Sequence, residues 1–170
     1  MNQLAHKLDN EIKFSAILPN NLFKVWQEIK KYLERSCKRS NGRHTINTIY
    51  KQIISNEATL WVAFDSNENI IKGCVITTFI YYPTDMKMLH ISQLAGKNMQ
   101  EWIEIGRPVL NNWAKDNQCH GIEAMGRKGF SHWSTKKDES WQESHVHFEM
   151  KFLNIHYYNY MTDRNHNYNI

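Results

Sequence analysis

The stretch Leu89–Phe130 restricts the fold of this chain more than any other part of the sequence. It begins with the end of a β-rich run, Met86–Leu94, and continues into apolar residues at helical spacing over Met99–Asp116. A second β-rich run, Ile122–Met125, follows the helix. Because a crossover that contains a helix joins the two runs, they are predicted to be parallel strands of one sheet.

The turn Ala95-Gly96-Lys97-Asn98 lies between the first of these strands and the helix. A strand that leads through a glycine turn to a helix N-terminus presents backbone N–H groups, and such groups bind anions. The sequence therefore identifies this turn as a candidate anion site. Glu101, at the start of the helix, favours the helix dipole but would repel a phosphate bound nearby.

Five elements are predicted ahead of this unit: a strand, two amphipathic helices and two further strands. Apolar residues at helical spacing indicate the helices, and β-branched and aromatic residues indicate the strands. In the second helix the apolar stripe, which includes Tyr50 and Ile54, is predicted to be buried. With the Met86–Leu94 strand, the last two strands form an antiparallel meander. In chain order the five elements are Ile12–Leu18, Asn21 to about Cys37, Ile46–Ile54, Thr59–Phe64 and Ile70–Tyr82.

Several single residues in these elements carry structural predictions. Asn20 or Asn21, and Thr45, are predicted to cap the two helices. Gly73 predicts a bulge or the close approach of another part of the backbone. Pro108 is predicted to kink or split the long helix, because it lacks a backbone donor and clashes with the preceding turn.

After Phe130 the pattern weakens, and residues 131–138 are predicted to form a short helix and residues 141–153 a half-exposed strand. We therefore predict one mixed α/β domain over residues 1–153, with an antiparallel meander and one parallel strand–helix–strand unit. Residues 154–170 are predicted to be a polar, aromatic tail. A chain of 170 residues is long enough for one domain with its own core.

Charge and cysteine content restrict the compartment and the partners. The formal charge of +4 permits attraction to nucleic acid or anionic cofactors, but it is weak evidence for either. Cys37, Cys74 and Cys119 are odd in number, widely spaced and free of any CxxC motif, which indicates reduced thiols in the cytoplasm. No apolar run reaches about 18 residues, so no membrane span is predicted.

Two basic turns and one histidine pair each allow two interpretations. Cys37–His44, between the two N-terminal helices, is either a solvated loop or a loop that binds an anion or faces a substrate. Gly126–Phe130 is either a structural turn or a contact for an anion or nucleic acid. His145 and His147 would share a strand face, but no third ligand is evident, so no metal is predicted.

The element order, with two N-terminal helices, a meander and a strand–helix–strand unit, resembles the GNAT fold of the N-acetyltransferase superfamily. Several segments are similar to GNAT-like proteins encoded by tailed bacteriophages and prophages, and the resemblance covers roughly residues 23–152. No single segment is specific, but their order and spacing together are. The segments are Trp26–Ile29, Arg43–Ile54, Glu57–Ala63, Leu94–Trp102, Trp113–Ala114 and Ile122–Phe130.

The resemblance implies an acyl-CoA-dependent N-acyltransferase, with acetyl-CoA as cofactor and an unidentified amine as acceptor. In active members, a Gln/Arg-x-x-Gly-x-Gly/Ala loop holds the pyrophosphate of coenzyme A. The matching segment here keeps one glycine and adds a lysine, but it lacks the second glycine position, so the loop is degenerate. The matching residues are Leu94, Ala95, Gly96, Lys97, Asn98 and Met99.

An acyltransferase also needs a base for the amine and a proton donor for the thiolate leaving group. The resemblance places the base on the strand before the loop, where His90 and Gln93 lie. It places the donor on the helix after the next strand, where no Tyr occurs and Ser131 and His132 are the polar candidates. The structural alternative for His90 is a surface histidine with a satisfied hydrogen bond.

Three functions remain open at this point. They are an N-acyltransferase, a non-catalytic phage assembly or host-interaction protein that keeps the fold as a scaffold, and, more distantly, a weak nucleic-acid binder. The expected partner is accordingly an amine acceptor or a phage or host protein, and the six Trp and the aromatic tail are compatible with a homodimer. The expected location is the cytoplasm, that of the host if the protein is phage-encoded. The nucleic-acid binder would use Arg39, Arg43, Arg127 and Lys128.

Overall fold

The computed structural model of the chain describes residues 12–40, residues 42–126 and Trp141. These ranges contain five strands and three α-helices, and a short 3-10 turn over Pro19–Asn21 precedes the first helix. In chain order the elements are β1 (Ile12–Ile17), α1 (Leu22–Lys38), α2 (Ile46–Ile54), β2 (Thr59–Asp65), β3 (Ile70–Tyr81), β4 (Lys87–Gly96), α3 (Met99–Asp116) and β5 (Gly121–Ala124).

The strands form one mixed sheet in the order β1-β2-β3-β4-β5. The first four strands pair antiparallel, and β4 pairs parallel with β5 across the α3 crossover. The predicted mixed α/β sheet, with its meander and its parallel strand–helix–strand unit, is confirmed. The predicted domain boundary after residue 153, the helix over residues 131–138 and nearly all of the strand over residues 141–153 lie outside the described residues.

Helices α1 and α2 cover one face of the sheet. Their buried residues recur at helical spacing: Leu22, Ile29 and Leu33 in α1, and Ile49 and Ile53 in α2. Each Leu or Ile that is fully buried contributes about 2 kcal/mol of transfer free energy. The strand residues that complete this core lie on one face of the sheet and alternate along each strand, except between Ile71 and Cys74, where the register of β2 and β3 shifts. They are Leu60, Val62, Ile71, Cys74 and Ile76.

Helix α3 covers the opposite face, where aromatic rings dominate the core. Phe14 stacks on Trp61 and Trp102, with ring centroids 5.9 and 6.4 Å away. Gly106 packs directly against Phe14, because a Cβ at this glycine would lie 2.9 Å from a ring carbon. Trp113 makes an edge contact with Trp61 at 5.5 Å. These rings hold α3 on the sheet and thereby position its N-terminus beside the end of β4.

One of the predicted helix caps is confirmed, and the other is wrong. The Thr45 hydroxyl accepts a hydrogen bond from the Thr48 N–H at 3.1 Å, and the Thr48 hydroxyl accepts one from the Thr45 N–H at 2.9 Å. This is a reciprocal capping box at the start of α2. Asn21 precedes α1 without a side-chain cap, because the chain enters α1 from the 3-10 turn.

Two predictions about the helices are corrected. Of the two effects predicted for Pro108, the split is wrong, because α3 is continuous through this residue, and the kink stays a prediction. This proline lies on the exposed side of the helix, where water can reach the carbonyl group that loses its donor. Tyr50 and Ile54, predicted to be buried in α2, are 39% and 44% exposed. The short helix α2 buries only Ile49 and Ile53.

Candidate functional site

The sheet opens into a fork between β4 and β5. The two strands pair only through Met88–Ile91 and Gly121–Ala124. Strand β4 continues to Gly96, and no strand in the described part of the chain pairs with this side of Ser92–Gly96. Because the hydrogen-bonding groups of a strand point to both of its sides, some of these N–H and C=O groups face the opening. The fork therefore offers a row of backbone groups to a ligand.

A β-bulge lies where the fork begins. Ile76 pairs with Gln93 and Thr77 pairs with Ile91, so Ser92 is an extra residue in β4. Its hydroxyl donates a hydrogen bond to the Ile76 carbonyl at 3.2 Å. Bulges bend a strand and increase its twist. This bulge thus places a bend at the point where β4 and β5 stop pairing.

Three polar side chains meet at the closed end of the fork, and we call Tyr82, Glu123 and His90 the polar triad. Glu123 lies beside His90 in the parallel register, and His90 Nδ1 is 3.0 Å from Glu123 Oε1. Glu123 Oε2 accepts a hydrogen bond from the Tyr82 hydroxyl at 2.9 Å. The side chains of His90 and Glu123 are only 13% and 27% exposed, so water screens their interaction less than at an open surface.

The polar triad fixes the tautomer of the imidazole. A carboxylate only accepts hydrogen bonds, so in the neutral imidazole of His90 the hydrogen lies on Nδ1 and Nε2 keeps its lone pair. The hydrogen bond to Glu123 raises the pKa of Tyr82, so the Tyr82 hydroxyl remains a donor at neutral pH. An imidazole oriented by a carboxylate in this way is suited to act as a general base.

The loop between α1 and α2 follows the turn of α1 that contacts β4, where the Ser36 hydroxyl donates to the side chain of Gln93. Burial lowers the pKa of His44, and the nearby His90 and Arg43 lower it further. Ser40 orders the loop, since its hydroxyl donates to the Cys37 carbonyl at 2.7 Å and accepts from the His44 N–H at 3.1 Å. The loop is therefore a structured border of the fork, and His44 is neutral at neutral pH.

Gln93, the second catalytic candidate predicted on β4, has a different environment. It is only 5% exposed, and its side-chain oxygen accepts a hydrogen bond from the Ser36 hydroxyl. This contact ties α1 to β4 at the bulge. The structure therefore places His90 and Gln93 on one strand, but it gives them separate hydrogen-bond partners.

The predicted cofactor loop is partly strand. Ala95 and Gly96, predicted to form a turn, instead pair with Cys74 and Gly73 and extend β4. The predicted end of β4 at Leu94 is therefore wrong. Strand pairing with β3 outweighs the low β propensity of Ala and Gly at these positions.

Trp102 accounts for the glycine of this loop. A Cβ on Gly73 would lie 2.3 Å from Trp102 Cζ2, and a Cβ on Gly96 would lie 2.6 Å from the Gly73 Cα and 3.0 Å from the same ring carbon. Trp102 is fully buried, and its indole N–H donates to the Lys97 carbonyl at 3.0 Å. The close approach predicted at Gly73 is confirmed, and packing alone requires a glycine at position 96.

The start of α3 keeps some features of an anion site. Lys97 and Asn98 are exposed, Asn98 has a left-handed φ of 47°, and Met99 opens the helix, whose first N–H groups have no acceptor within it. Two features oppose an anion. The Lys97 N–H already donates to the Lys72 carbonyl at 2.9 Å, and the Glu101 carboxylate accepts from the Asn98 amide at 2.9 Å. These residues fit a single phosphate group, without a glycine-rich cradle.

The remaining sequence candidates lie elsewhere in the chain. His132, Arg127, Lys128, His145 and His147 all lie outside the described residues. Within the described ranges, no group of three His, Cys, Asp or Glu side chains is arranged to hold a metal ion. No helix in the same ranges has the length and apolar character needed to cross a membrane.

The three cysteines are free thiols. Burial raises the pKa of Cys74 to about 12, and burial also raises the pKa of Cys37 and Cys119. A thiol is a nucleophile only as the thiolate. None of the three cysteines is therefore prepared to take up an acyl group at neutral pH.

Sequence reasoning missed Glu123, Tyr82 and His44. The sequence did predict that Ile122–Met125 lies in the same sheet as the strand that carries His90 and runs parallel to it. The register that pairs His90 with Glu123 was not predictable, because no tight turn fixes the register of two parallel strands. Tyr82 lies 41 residues before Glu123 and reaches it past β4, which only the folded sheet reveals.

No protein-family model and no curated protein sequence matches the chain. Solved structures do match it. An aminoglycoside acetyltransferase from an uncultured soil metagenomic sample, in complex with sisomicin, is 17% identical with a TM-score of 0.64, over 86% of this chain and 99% of that one. A predicted acetyltransferase of Clostridium acetobutylicum with acetyl-CoA is 16% identical with a TM-score of 0.56, over 82% and 96%.

A third similar structure comes from a protein of another kind. A transcriptional regulator from Bacillus halodurans C-125 is 17% identical with a TM-score of 0.57, over 83% of this chain and 99% of that one. At such identities the likeness shows the fold alone. The mixed sheet of the chain and its likeness to these acetyltransferases show a GNAT-like fold.

Proposed function

We propose that this protein is an acyl-CoA-dependent N-acyltransferase, with acetyl-CoA as acyl donor and a primary amine as acceptor. The observation that carries the proposal is the polar triad at the fork between β4 and β5. Both cores of the sheet lie elsewhere and are apolar, so packing does not require a linked Tyr, Glu and His there. The acetyltransferases of similar fold support the proposal, although a fold by itself does not establish chemistry.

The polar triad supplies the base that amine acylation needs. His90 Nε2 takes a proton from the acceptor amine, which leaves the nitrogen lone pair free to attack the acyl carbonyl. Glu123 stabilises the imidazolium that forms, and Tyr82 holds the second carboxylate oxygen in place. The new N–C bond forms as the C–S bond of the thioester breaks, and the sulfur leaves with the proton that the attacking nitrogen loses. Acetyl-CoA, when bound, would supply this thioester.

The cofactor would be held along the fork and at the start of α3. The free side of Ser92–Gly96 would hydrogen-bond its amide groups, and Lys97 with the first N–H groups of α3 would hold one phosphate. The degenerate loop is part of this proposal. Because Gly96 serves packing and Glu101 adds a negative charge, we expect weaker affinity than a glycine-rich loop would give.

Calorimetric titration with acetyl-CoA tests the first requirement of the proposal, and we expect saturable binding. Release of the CoA thiol in the presence of a panel of amines tests the second. His90→Ala should lower kcat at least about 100-fold, since positioned general bases contribute factors of this size. His120→Ala is the matched control, because His120 Nδ1 only accepts the Lys87 N–H at the opposite end of the parallel pairing. No binding at millimolar acetyl-CoA would overturn the proposal.

A second candidate is a non-catalytic scaffold, and one observation favours it. The Asn98–Glu101 contact puts a carboxylate where the phosphate would bind. The resemblance to phage-encoded proteins supports an assembly or host-interaction role in the host cytoplasm for this candidate. Failure of acetyl-CoA to bind, together with full stability of His90→Ala, would favour the scaffold over the enzyme.

A further inference from the structure

The chain carries a group of cations at the junction of α1 and α2. We call Arg35, Lys38, Arg39 and Arg43 the basic loop. Arg35 and Lys38 lie in the last turn of α1, and the sequence contains no Asp or Glu from Arg35 to Asn56. The four side chains are exposed. The loop therefore concentrates positive charge that its own segment does not neutralise.

Lys38 and Arg39 differ from other cations of the molecule. Lys72 and Arg107 each form an ion pair with an acidic side chain. No acidic side chain in the described part of the chain pairs with Lys38 or Arg39. Cations in the last turn of a helix interact favourably with its dipole, which applies to Arg35 and Lys38. Arg43, beyond the helix end, donates to the Ser40 carbonyl at 3.2 Å.

The basic loop lies on the face of the sheet that carries His90. Ser36, in the last turn of α1, donates a hydrogen bond from its hydroxyl to the side chain of Gln93. Gln93 and His90 face the same side of the sheet, because their pairing partners Ile76 and Thr78 lie two residues apart on β3. The N-terminus of α2, capped by Thr45, also points its positive dipole end toward the junction of α1 and α2. Positive charge is therefore concentrated on the α1 and α2 side of the fork.

We propose that the acceptor carries an anionic group, carboxylate or phosphate, in addition to its amine, and that the basic loop binds this group while the amine lies at His90. The inference rests on the proposed function and names the substrate class of the same site. Polycationic amines would be repelled by the loop. Glu123 supplies one negative charge at the polar triad, whereas the basic loop supplies four positive charges.

Matched acceptor pairs test the inference. Nα-acetyllysine and its methylamide share one amine and differ by a carboxylate, and glucosamine 6-phosphate and glucosamine differ by a phosphate. We expect kcat/KM to be about tenfold higher for the anionic member of at least one pair, and the preference to weaken as salt is raised. The pair that shows the preference identifies the carboxylate or the phosphate as the preferred group.

A charge-neutralising variant tests whether the basic loop causes the preference for the anionic acceptor. Lys38→Gln with Arg39→Gln should raise KM for the anionic acceptor about fivefold to tenfold and leave the neutral acceptor unchanged. Lys24→Gln with Lys31→Gln is the matched control, since it removes the same charge from exposed positions earlier in α1. It should leave both acceptors unchanged.

The other possible results separate a failure of the anionic-acceptor inference from a failure of the proposed acyltransferase function. Equal use of both members of each pair would overturn the anionic acceptor and leave the acyltransferase intact. If no amine is acylated, calorimetry with the same pairs decides, and equal or absent binding overturns the inference. Absence of acetyl-CoA binding overturns the proposed function itself. Salt-sensitive binding of a random oligonucleotide that is lost in the double variant, without preference within the pairs, would assign the loop to nucleic acid.

Discussion

Two parts of β4 carry unusual residues for different reasons. At its C-terminal end, Gly96 sits against Gly73 beneath the indole of Trp102, and packing explains it fully. At its centre, His90 is linked to Glu123 and Tyr82, and packing explains none of the three. The end of β4 looked functional in sequence because glycines often accompany phosphate. For the centre, the sequence left two interpretations of His90 open, a general base and a surface histidine with a satisfied hydrogen bond.

The comparison shows that the partners of a residue are a better guide than its type. The neighbours of Gly96 explain this glycine by packing and remove its functional interpretation. The neighbours of His90, in contrast, favour its interpretation as a general base. The start of α3 lies between these cases, since Lys97 is exposed and able to meet an anion while Glu101 opposes one. The similar structures include both acetyltransferases and a transcriptional regulator, so the fold does not choose between these interpretations.

The largest effect is expected from Gly73→Ala. Its Cβ would lie 2.3 Å from Trp102 Cζ2 and 2.9 Å from the Ala95 carbonyl oxygen, so ring and backbone must both move. We expect the free energy of unfolding in urea to fall by about 3 kcal/mol or more. Gly42→Ala is the control, since open space surrounds this glycine and only its φ of 83° opposes a side chain, at a cost of about 1 kcal/mol.

Addition of Trp102→Leu to Gly73→Ala sharpens this test. The smaller side chain removes the clash and should restore part of the stability that Gly73→Ala loses, although Trp102→Leu alone is destabilising. Additive losses in the double variant would show that Trp102 is not the reason for the glycine.

The next largest effect is expected from Glu123→Gln, and it should fall on activity. The variant keeps the shape of the side chain but removes the charge that stabilises the His90 imidazolium. We expect kcat to fall about 10-fold to 100-fold in the CoA-release assay, while the unfolding free energy changes by less than about 1 kcal/mol. Glu104→Gln, on the exposed face of α3, should change neither quantity. A stability loss without a kcat loss would make the polar triad structural.

Tyr82→Phe should have a smaller effect of the same kind. Its hydroxyl only orients the second oxygen of Glu123, so the carboxylate and its bond to His90 remain. We expect kcat to fall about 3-fold to 10-fold, because one orienting hydrogen bond to the carboxylate is lost. Tyr81→Phe is the control, because Tyr81 is 71% exposed at the end of β3. Equal effects of the two variants would remove Tyr82 from the site.

The smallest effect is expected from the titration of His44. Its pKa is lowered in the folded protein by burial and by His90 and Arg43, so below the ordinary histidine pKa of about 6.5 the unfolded chain binds more protons. The stability that His44 contributes is therefore complete above that pH and is lost as the pH falls through the lowered pKa. His44→Gln should flatten this part of the urea stability profile between pH 5 and 8. An unchanged profile would contradict the burial of His44 against the fork.

The fold was predictable from the sequence to a large extent. Periodic apolar residues predicted both N-terminal helices, the meander and α3, and connection length predicted that β4 and β5 are parallel. The end of β4 was not predictable, because Ala95 and Gly96 become strand only by pairing with β3. The continuity of α3 through Pro108 was not predictable, because the exposure of this proline depends on which face of α3 meets the aromatic core.

The candidate site was predictable only in part. His90 was identified from its place on the strand before the loop, but its two partners come from β5 and from the end of β3. Such contacts depend on strand register and on side-chain reach across the sheet, and neither is encoded in local composition. The Cys37–His44 turn was recognised as basic, but its place beside His90 required the packing of α1 on the sheet.

The contact of Trp102 with two facing glycines also restricts how this chain can change by mutation. A side chain at either glycine is excluded while the indole is present, and loss of the indole leaves a large void while both glycines remain. A single substitution at any of these three positions is therefore expected to give a destabilised protein. Descendants of this sequence should either keep all three residues or replace them together, which makes the trio a marker for ancestry within chains of this fold.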